Sequence, residues 1–329
     1  MADLRTTYMG IELKNPIVVG ACSLSKQIDT IRQIEAAGAG ALVLKSLFEE
    51  QIQLERGKLE DELSEYEELY AEAVTLFPNL EHGGPQEHVY WVAEAKKAVS
   101  IPLIASVNAV SDESWADYAV KLAETGVDGL ELNFYSLPLD PELTSTAIEQ
   151  RELEIFAKIR KAVKIPIAVK LHPFYTNMMH VAAAFDRAGA NAVVMFNRLF
   201  QPDLSIERGE EIAHLVLSSA TDSAVSLRWA ALLHGRLQKA DIVSATGIMT
   251  GRDAIKMIMA GASAVQVVST LYKNKVTQIG EMLAEMSTWM DGKGYKTLAD
   301  FRGKASKKNV KDPWAFERGQ YIKALLGFD

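Results

Sequence analysis

Cysteine is nearly missing from this 329-residue chain, in which Cys22 is the only one. One thiol excludes an intrachain disulfide, a cysteine-ligated iron-sulfur cluster and a four-cysteine zinc site, so any redox group must be held without thiolates. The histidines, His82, His88, His172, His180, His214 and His234, fall without ligand spacing, and no metal is expected. No apolar run approaches the length of a membrane span, and residues 1–14 carry Asp3, Arg5 and Glu12 where a signal peptide needs an apolar core. A cytoplasmic protein without membrane association is expected. Positive charge is not in excess either: the formal net charge of -8 argues against a broad cationic face for nucleic acid. Also absent are a Gly-x-Ser-x-Gly elbow, a Walker loop and a Gly-x-Gly-x-x-Gly turn after a strand.

What is present is 48% hydrophobic residues, enough for a sizeable core, and a repeated unit in which glycine leads into an apolar strand. The unit occurs at Gly38-Ala39-Gly40-Ala41-Leu42-Val43-Leu44, Gly126-Val127-Asp128-Gly129-Leu130-Glu131-Leu132-Asn133, Gly189-Ala190-Asn191-Ala192-Val193-Val194-Met195 and Gly261-Ala262-Ser263-Ala264-Val265-Gln266-Val267. Such a glycine can end a helix in the left-handed conformation. Two further strands open on proline, after Pro102 and Pro166, where the missing N–H costs least. With 16–20 and 241–245 these make eight short strands separated by amphipathic stretches, the pattern of an α/β chain folded as a (β/α)8 TIM barrel. The barrel is assigned to residues 1–303, with an insertion at 49–84 after the second strand and a C-terminal arm at 304–329. The insertion is very acidic from 60 to 72, as a solvated helix face is; a lid or a partner-docking surface is the other reading. The arm is basic, then amphipathic around Trp314, Phe316, Tyr321 and Leu325, and is expected to pack on the barrel or on a second subunit.

Active sites of such barrels lie at the carboxyl ends of the strands, where these runs close on polar residues. The ends are Ala21 and Cys22, Lys45 and Ser46, Asn108, Asn133, Lys170, Asn197, Thr246 and Gly247, then Ser269 and Thr270. Any one of them could simply fix a loop. Together, two lysines and three amides around one mouth suit a flat, electron-rich heterocycle that carries an anionic group. Backbone N–H groups and hydroxyls of the Thr246-Gly247 and Val268-Ser269-Thr270 turns, each ahead of a helical stretch, suit a phosphate. A barrel lyase or aldolase with Lys170 as Schiff-base lysine is the alternative these residues leave open.

Five segments carry a family resemblance: Lys14-Asn15-Pro16-Ile17-Val18-Val19-Gly20-Ala21, Leu44-Lys45-Ser46, Val169-Lys170-Leu171-His172-Pro173, the strand ending in Asn197, and Thr250-Gly251-Arg252-Asp253-Ala254. In their order and strand placement the chain resembles the dihydroorotate dehydrogenases, FMN-dependent barrels of pyrimidine metabolism, over residues 4 to 303. The resemblance implies FMN held by Ala21, Lys45, Ser46, Asn108, Asn133 and Lys170, with its phosphate between Thr246-Gly247 and Val268-Ser269-Thr270. It implies a small-molecule, dihydropyrimidine-like substrate facing Lys45, Asn133 and Asn197, and a base at Ser136, with Tyr135 as the fallback. The chain departs from the family on the substrate side. The loop Asn133-Phe134-Tyr135-Ser136-Leu137-Pro138 lacks the family's second asparagine, and Val74-Thr75-Leu76-Phe77-Pro78-Asn79 stands where the family has an asparagine and Met-Gly-Leu. The Gly-Gly phosphate turn has become Thr246-Gly247. Quinone-using relatives carry an N-terminal helical extension, and here the barrel pattern begins almost at Met1, which points to fumarate or an iron-sulfur partner as acceptor. With one cysteine, that cluster would sit on another chain. Relatives pair as dimers, which implies a homodimer; a flavin-holding subunit of a redox complex is the remaining reading.

Overall fold

The computed structural model describes residues 2–48, 85–108, 112–134, 138–198, 203–212, 216–312, 314 and 316–327. The insertion at 49–84, with its acidic part and the 74–79 segment, lies outside the described residues, as do Tyr135 and Ser136. The strands are β1 (Thr6–Tyr8), β2 (Ile11–Leu13), β3 (Ile17–Val19), β4 (Ala41–Val43), β5 (Leu47–Phe48), β6 (Leu103–Asn108), β7 (Gly129–Asn133), β8 (Ile167–Leu171), β9 (Ala192–Met195), β10 (Asp203–Ser205), β11 (Glu210–Ile212), β12 (Asp241–Ala245) and β13 (Ala264–Val267). The helices are α1 (Ile28–Ala36), α2 (Pro85–Ala98), α3 (Asp112–Glu124), α4 (Ser145–Ala162), α5 (Met178–Ala188), α6 (Ser223–Leu233), α7 (Gly251–Ala260), α8 (Ser269–Asn274), α9 (Gln278–Lys293) and α10 (Arg318–Leu326).

Neighbouring strands run β4-β3-β13-β12-β9-β8-β7-β6, and the pairing of β6 with β4 closes the ring. All these pairs are parallel, so this is the (β/α)8 barrel expected from the repeated units. The four repeat glycines, Gly38, Gly126, Gly189 and Gly261, all take positive φ, the conformation that lets a helix end and turn into the next strand. Side chains alternate across the wall. Val18, Ala41, Val43, Ile104, Ala168 and Val194 point inward, while Ile17, Val19, Leu42, Leu130 and Val169 face the helical layer.

Two features were not foreseen. The β1–β2 hairpin closes the amino-terminal end of the barrel: Tyr8, Met9 and Leu13 join the interior cluster, and the Thr6 hydroxyl donates to Ser263 O. Between β4 and β5 the wall carries one extra residue. Val43 is opposite Ile104 but Leu47 is opposite Val107, so four steps on one strand face three on the other. This is a β-bulge, which re-aims side chains at a barrel rim, and it turns the consecutive residues Lys45 and Ser46 into one cavity.

The start of the C-terminal arm follows the barrel's helices, with Ala305 N bonding Met259 O and Lys307 N bonding Ala231 O. Phe316 packs on the core, and Lys307 pairs with Glu317. Trp314, Tyr321, Ile322, Leu325 and Leu326 are exposed.

Candidate active site

The mouth of the barrel opens into a cavity of about 520 Å³ at the carboxyl ends of the strands, a size suited to a small molecule or cofactor. Ala21, Lys45 and Ser46 line one side of it, and Asn133, Lys170 and Asn197 the other. Thr246, Gly247, Val268 and Ser269 line it as well. Two expected residues do not. Thr270 is fully buried and its hydroxyl donates to Met249 O at 2.8 Å, so it ties the segment ahead of α7 to α8. Asn108 ends β6 buried beside the rim, its amide nitrogen without a hydrogen-bond partner among the described residues.

Lys45 sits in the bulge, its backbone N–H donating to Ser25 Oγ at 2.9 Å. Its carbonyl meets His88 Nε2 at 3.1 Å, and His88 Nδ1 meets the Tyr118 hydroxyl, so Nε2 carries the proton and Tyr118 donates to Nδ1. Burial holds His88 below the usual histidine range, favouring this neutral form. Burial, with a smaller push from Lys26, also draws the Lys45 ammonium below the ordinary lysine value. The Ser46 hydroxyl donates to Ser106 Oγ at 2.6 Å.

Across the mouth, Asn197 Nδ2 donates to Asn133 Oδ1 at 2.9 Å, which leaves the Asn133 amide N–H groups and the Asn197 carbonyl to face a ligand. Lys170 comes from the inward face of β8. Its Nζ donates to Gln266 Oε1 at 2.9 Å and lies 3.4 Å from Glu131 Oε1, while Gln266 Nε2 donates to Glu131 Oε2. Sequence reasoning missed Gln266 and Glu131, whose only signal was a polar residue inside an otherwise apolar run.

The third side is built from turns. Thr246 and Gly247 both take positive φ, at 72° and 75°. A Cβ on Gly247 would lie 2.4 Å from Ser223 N, so only glycine admits the close approach of the start of α6. Thr246 bears the strain of its conformation and donates its hydroxyl to Phe196 O at 2.9 Å. Ser218, unforeseen because its loop ends no strand, receives the Gly247 N–H at 3.3 Å and donates to Ser269 Oγ at 2.8 Å. The result is a rim of small residues, hydroxyls and amide N–H groups, with Lys273 held behind it on Ser218 O.

The Dihydroorotate dehydrogenase family model matches residues 3–290. This chain belongs to the dihydroorotate dehydrogenase family. It is 31% identical to the dihydroorotate dehydrogenase B (NAD(+)) catalytic subunit of Thermoplasma volcanium, over 94% of this chain and 100% of that protein. The corresponding subunit of Methanocaldococcus jannaschii is 28% identical over 82% of this chain and 87% of its own. A dihydroorotate dehydrogenase A (fumarate) of Limosilactobacillus reuteri is 24% identical over 88% and 94%.

As a dihydroorotate dehydrogenase family member the chain is an FMN-dependent oxidoreductase acting on CH–CH donors. The donor set fits the cofactor: two lysines and unspent amide groups for the polar edge of the ring, and a hydroxyl-rich turn with a cradle at Gly247 for the phosphate. The lyase alternative is disfavoured by the same geometry. A Schiff base needs a free amine, and the Lys170 Nζ is engaged by Glu131 and Gln266.

Proposed function

We propose that this dehydrogenase oxidises a dihydropyrimidine-like or related cyclic amide, with FMN supplying the hydride acceptor. The observation that carries the reading is the Asn133–Asn197 amide pair facing the cavity beside Lys170 and opposite Lys45. Two amides with spare donors and acceptors match the alternating N–H and C=O groups of a cyclic imide. Lys45 and Lys170 supply positive charge for the substrate's anionic group and for the negative charge that arrives with the hydride.

Oxidation to a C=C bond takes a hydride from one carbon and a proton from its neighbour. The proton is assigned to Ser136, with Tyr135 as the fallback; both follow β7 at the loop that Asn133 begins. A serine takes a proton only if water or a neighbour passes it on. Ser136→Ala should therefore slow flavin reduction by roughly 10²-fold or more, while Tyr135→Phe has little effect; the reverse order would move the base to Tyr135.

A partner chain that receives the electrons is part of the proposal, in keeping with the relatives named as catalytic subunits. So are a homodimer and a cytoplasmic location. Among the described residues no helix is long and apolar enough to cross a membrane. The deciding experiment is the visible spectrum of protein purified without added cofactor, followed by anaerobic addition of dihydropyrimidines. About one FMN per chain, bleached by a dihydropyrimidine, is the expected result. Bound FMN that no such compound bleaches would refute the substrate assignment.

A further inference from the structure

Glu131 is a fully buried carboxylate that the reaction above does not use. It projects from the inward face of β7, two residues before Asn133, which pairs with Lys170 across the sheet. Glu131 therefore lies one layer below the cavity floor, which Lys170 and Gln266 line and Glu131 does not. The three side chains close a triangle. Lys170 Nζ lies 3.4 Å from one carboxylate oxygen and donates to Gln266 Oε1 at 2.9 Å, and Gln266 Nε2 donates to the other oxygen. The amide has one workable orientation, because turning it over would set its N–H groups against the ammonium.

We propose that Glu131 is a positioning residue that keeps Lys170 protonated and aimed at the cavity whether the flavin is oxidised or reduced. The negative charge that arrives with the hydride then meets a standing cation and draws no proton into the barrel. An ammonium among interior alanines and valines is disfavoured unless a carboxylate compensates it. Of the other titratable groups on this side of the barrel, Lys45 across the cavity is a second cation and compensates nothing. Burial raises the Tyr8 phenol, on the hairpin below, well above its usual range, and raises the Cys22 thiol beside the mouth. Both are neutral at neutral pH, and among the described residues Glu131 is the carboxylate that pairs with Lys170. Gln266 fixes the distance between the charges and holds the ammonium toward the mouth.

The proposal rests on the FMN reading, and two measurements separate them. In the FMN-loaded protein, reduction by two electrons to the singly negative flavin takes up one proton when Lys170 is already charged. It takes up two when Lys170 must also be protonated. Potentiometric titration across about pH 7 to 9 should give one proton per two electrons for the native protein, a value rising toward two for Glu131→Gln, and a return to one for Glu131→Gln with Lys170→Met. One proton throughout in the single variant overturns the proposal. The second measurement uses cofactor-free protein labelled with 15N-lysine. The Lys170 Nζ signal should remain that of an ammonium over this range in the native chain and move to that of an amine in Glu131→Gln. An ammonium in both overturns the proposal whether or not FMN binds, whereas a protein that binds no FMN would sink only the proposed function. If Glu131→Gln does not fold, Glu131→Asp, which draws the carboxylate back from Nζ, should move the same 15N titration downward; no movement counts against the proposal.

Discussion

The floor of the cavity and its rim treat charge in opposite ways. At the floor Lys170 faces Glu131, buried one layer below it, with Gln266 bonded to each. On the rim Lys45 is half-buried in the bulge, and among the described residues no carboxylate pairs with it; its ammonium is drawn below the ordinary lysine value. Glu152, on α4, repeats the contrast for a carboxylate. It is buried, its Oε2 accepts from the Tyr175 hydroxyl at 2.7 Å, its Oε1 has no hydrogen-bond partner among the described residues, and burial pushes it up to about 7. An interior charge persists where an opposite charge is built beside it, and where none is, the neutral form gains. An opposite charge is thus built into the floor and left off the rim, where burial weakens the hold of Lys45 on its proton.

The largest effect should come from removing the floor cation. Lys170→Met is expected to slow flavin reduction by roughly 10²-fold or more, the scale of losing one preorganised charge at a reacting centre, and to leave Glu131 buried without its partner. Stopped-flow reduction checks the first and chemical denaturation the second. Lys45→Met should cost less, about tenfold, because a partly solvated charge stabilises less. The sharper check on Lys45 is the alkaline limb of the rate profile. Its proton is lost at lower pH than that of an ordinary lysine, so Lys45→Arg, which stays charged, should shift that limb to higher pH; an unmoved limb would mean that the charge of Lys45 is not used.

Glu152 gives a prediction on stability. Its folded value of about 7 is raised above the ordinary 4.5, so the folded chain holds an extra proton between those values. Its contribution is fully present below about 4.5 and is lost as pH rises through about 7, on the order of 3 kcal/mol at most. Glu152→Gln should flatten the fall in stability across that window, measured by denaturant midpoints. The smallest effect is expected at Thr246→Gly. Relief of the positive φ, about 1–2 kcal/mol, is offset by loss of the hydroxyl bond to Phe196 O and by the added freedom of glycine, leaving a net change within about 1 kcal/mol.

The strands were legible because a parallel barrel buries both faces of each strand, so every strand reads as an apolar run with a polar stop. The same logic brought out Lys45, Asn133, Lys170 and Asn197, which end such runs. It hid Glu131 and Gln266, which sit inside a run and read as part of the wall. It also pointed to Thr270, whose hydroxyl serves a backbone carbonyl, and to Asn108, which ends its strand beside the rim; neither lines the cavity. The β1–β2 hairpin escaped notice because three-residue strands such as Thr6–Tyr8 carry too little alternation to stand out. The bulge at Lys45 is a matter of register against β6, a relation between distant segments that no local pattern records.

The hairpin has a further consequence for the order of events. With Tyr8, Met9 and Leu13 filling the amino-terminal end, the barrel is a cup, filled and emptied over one lip. A reductant and an oxidant that both need the bottom of a cup take turns. In the proposed reaction the oxidised product would then have to leave before a second small molecule could collect the electrons, the kinetics of alternating half-reactions. An acceptor that works while product is still inside must collect them over the lip, as a docked protein can and a diffusing acid cannot.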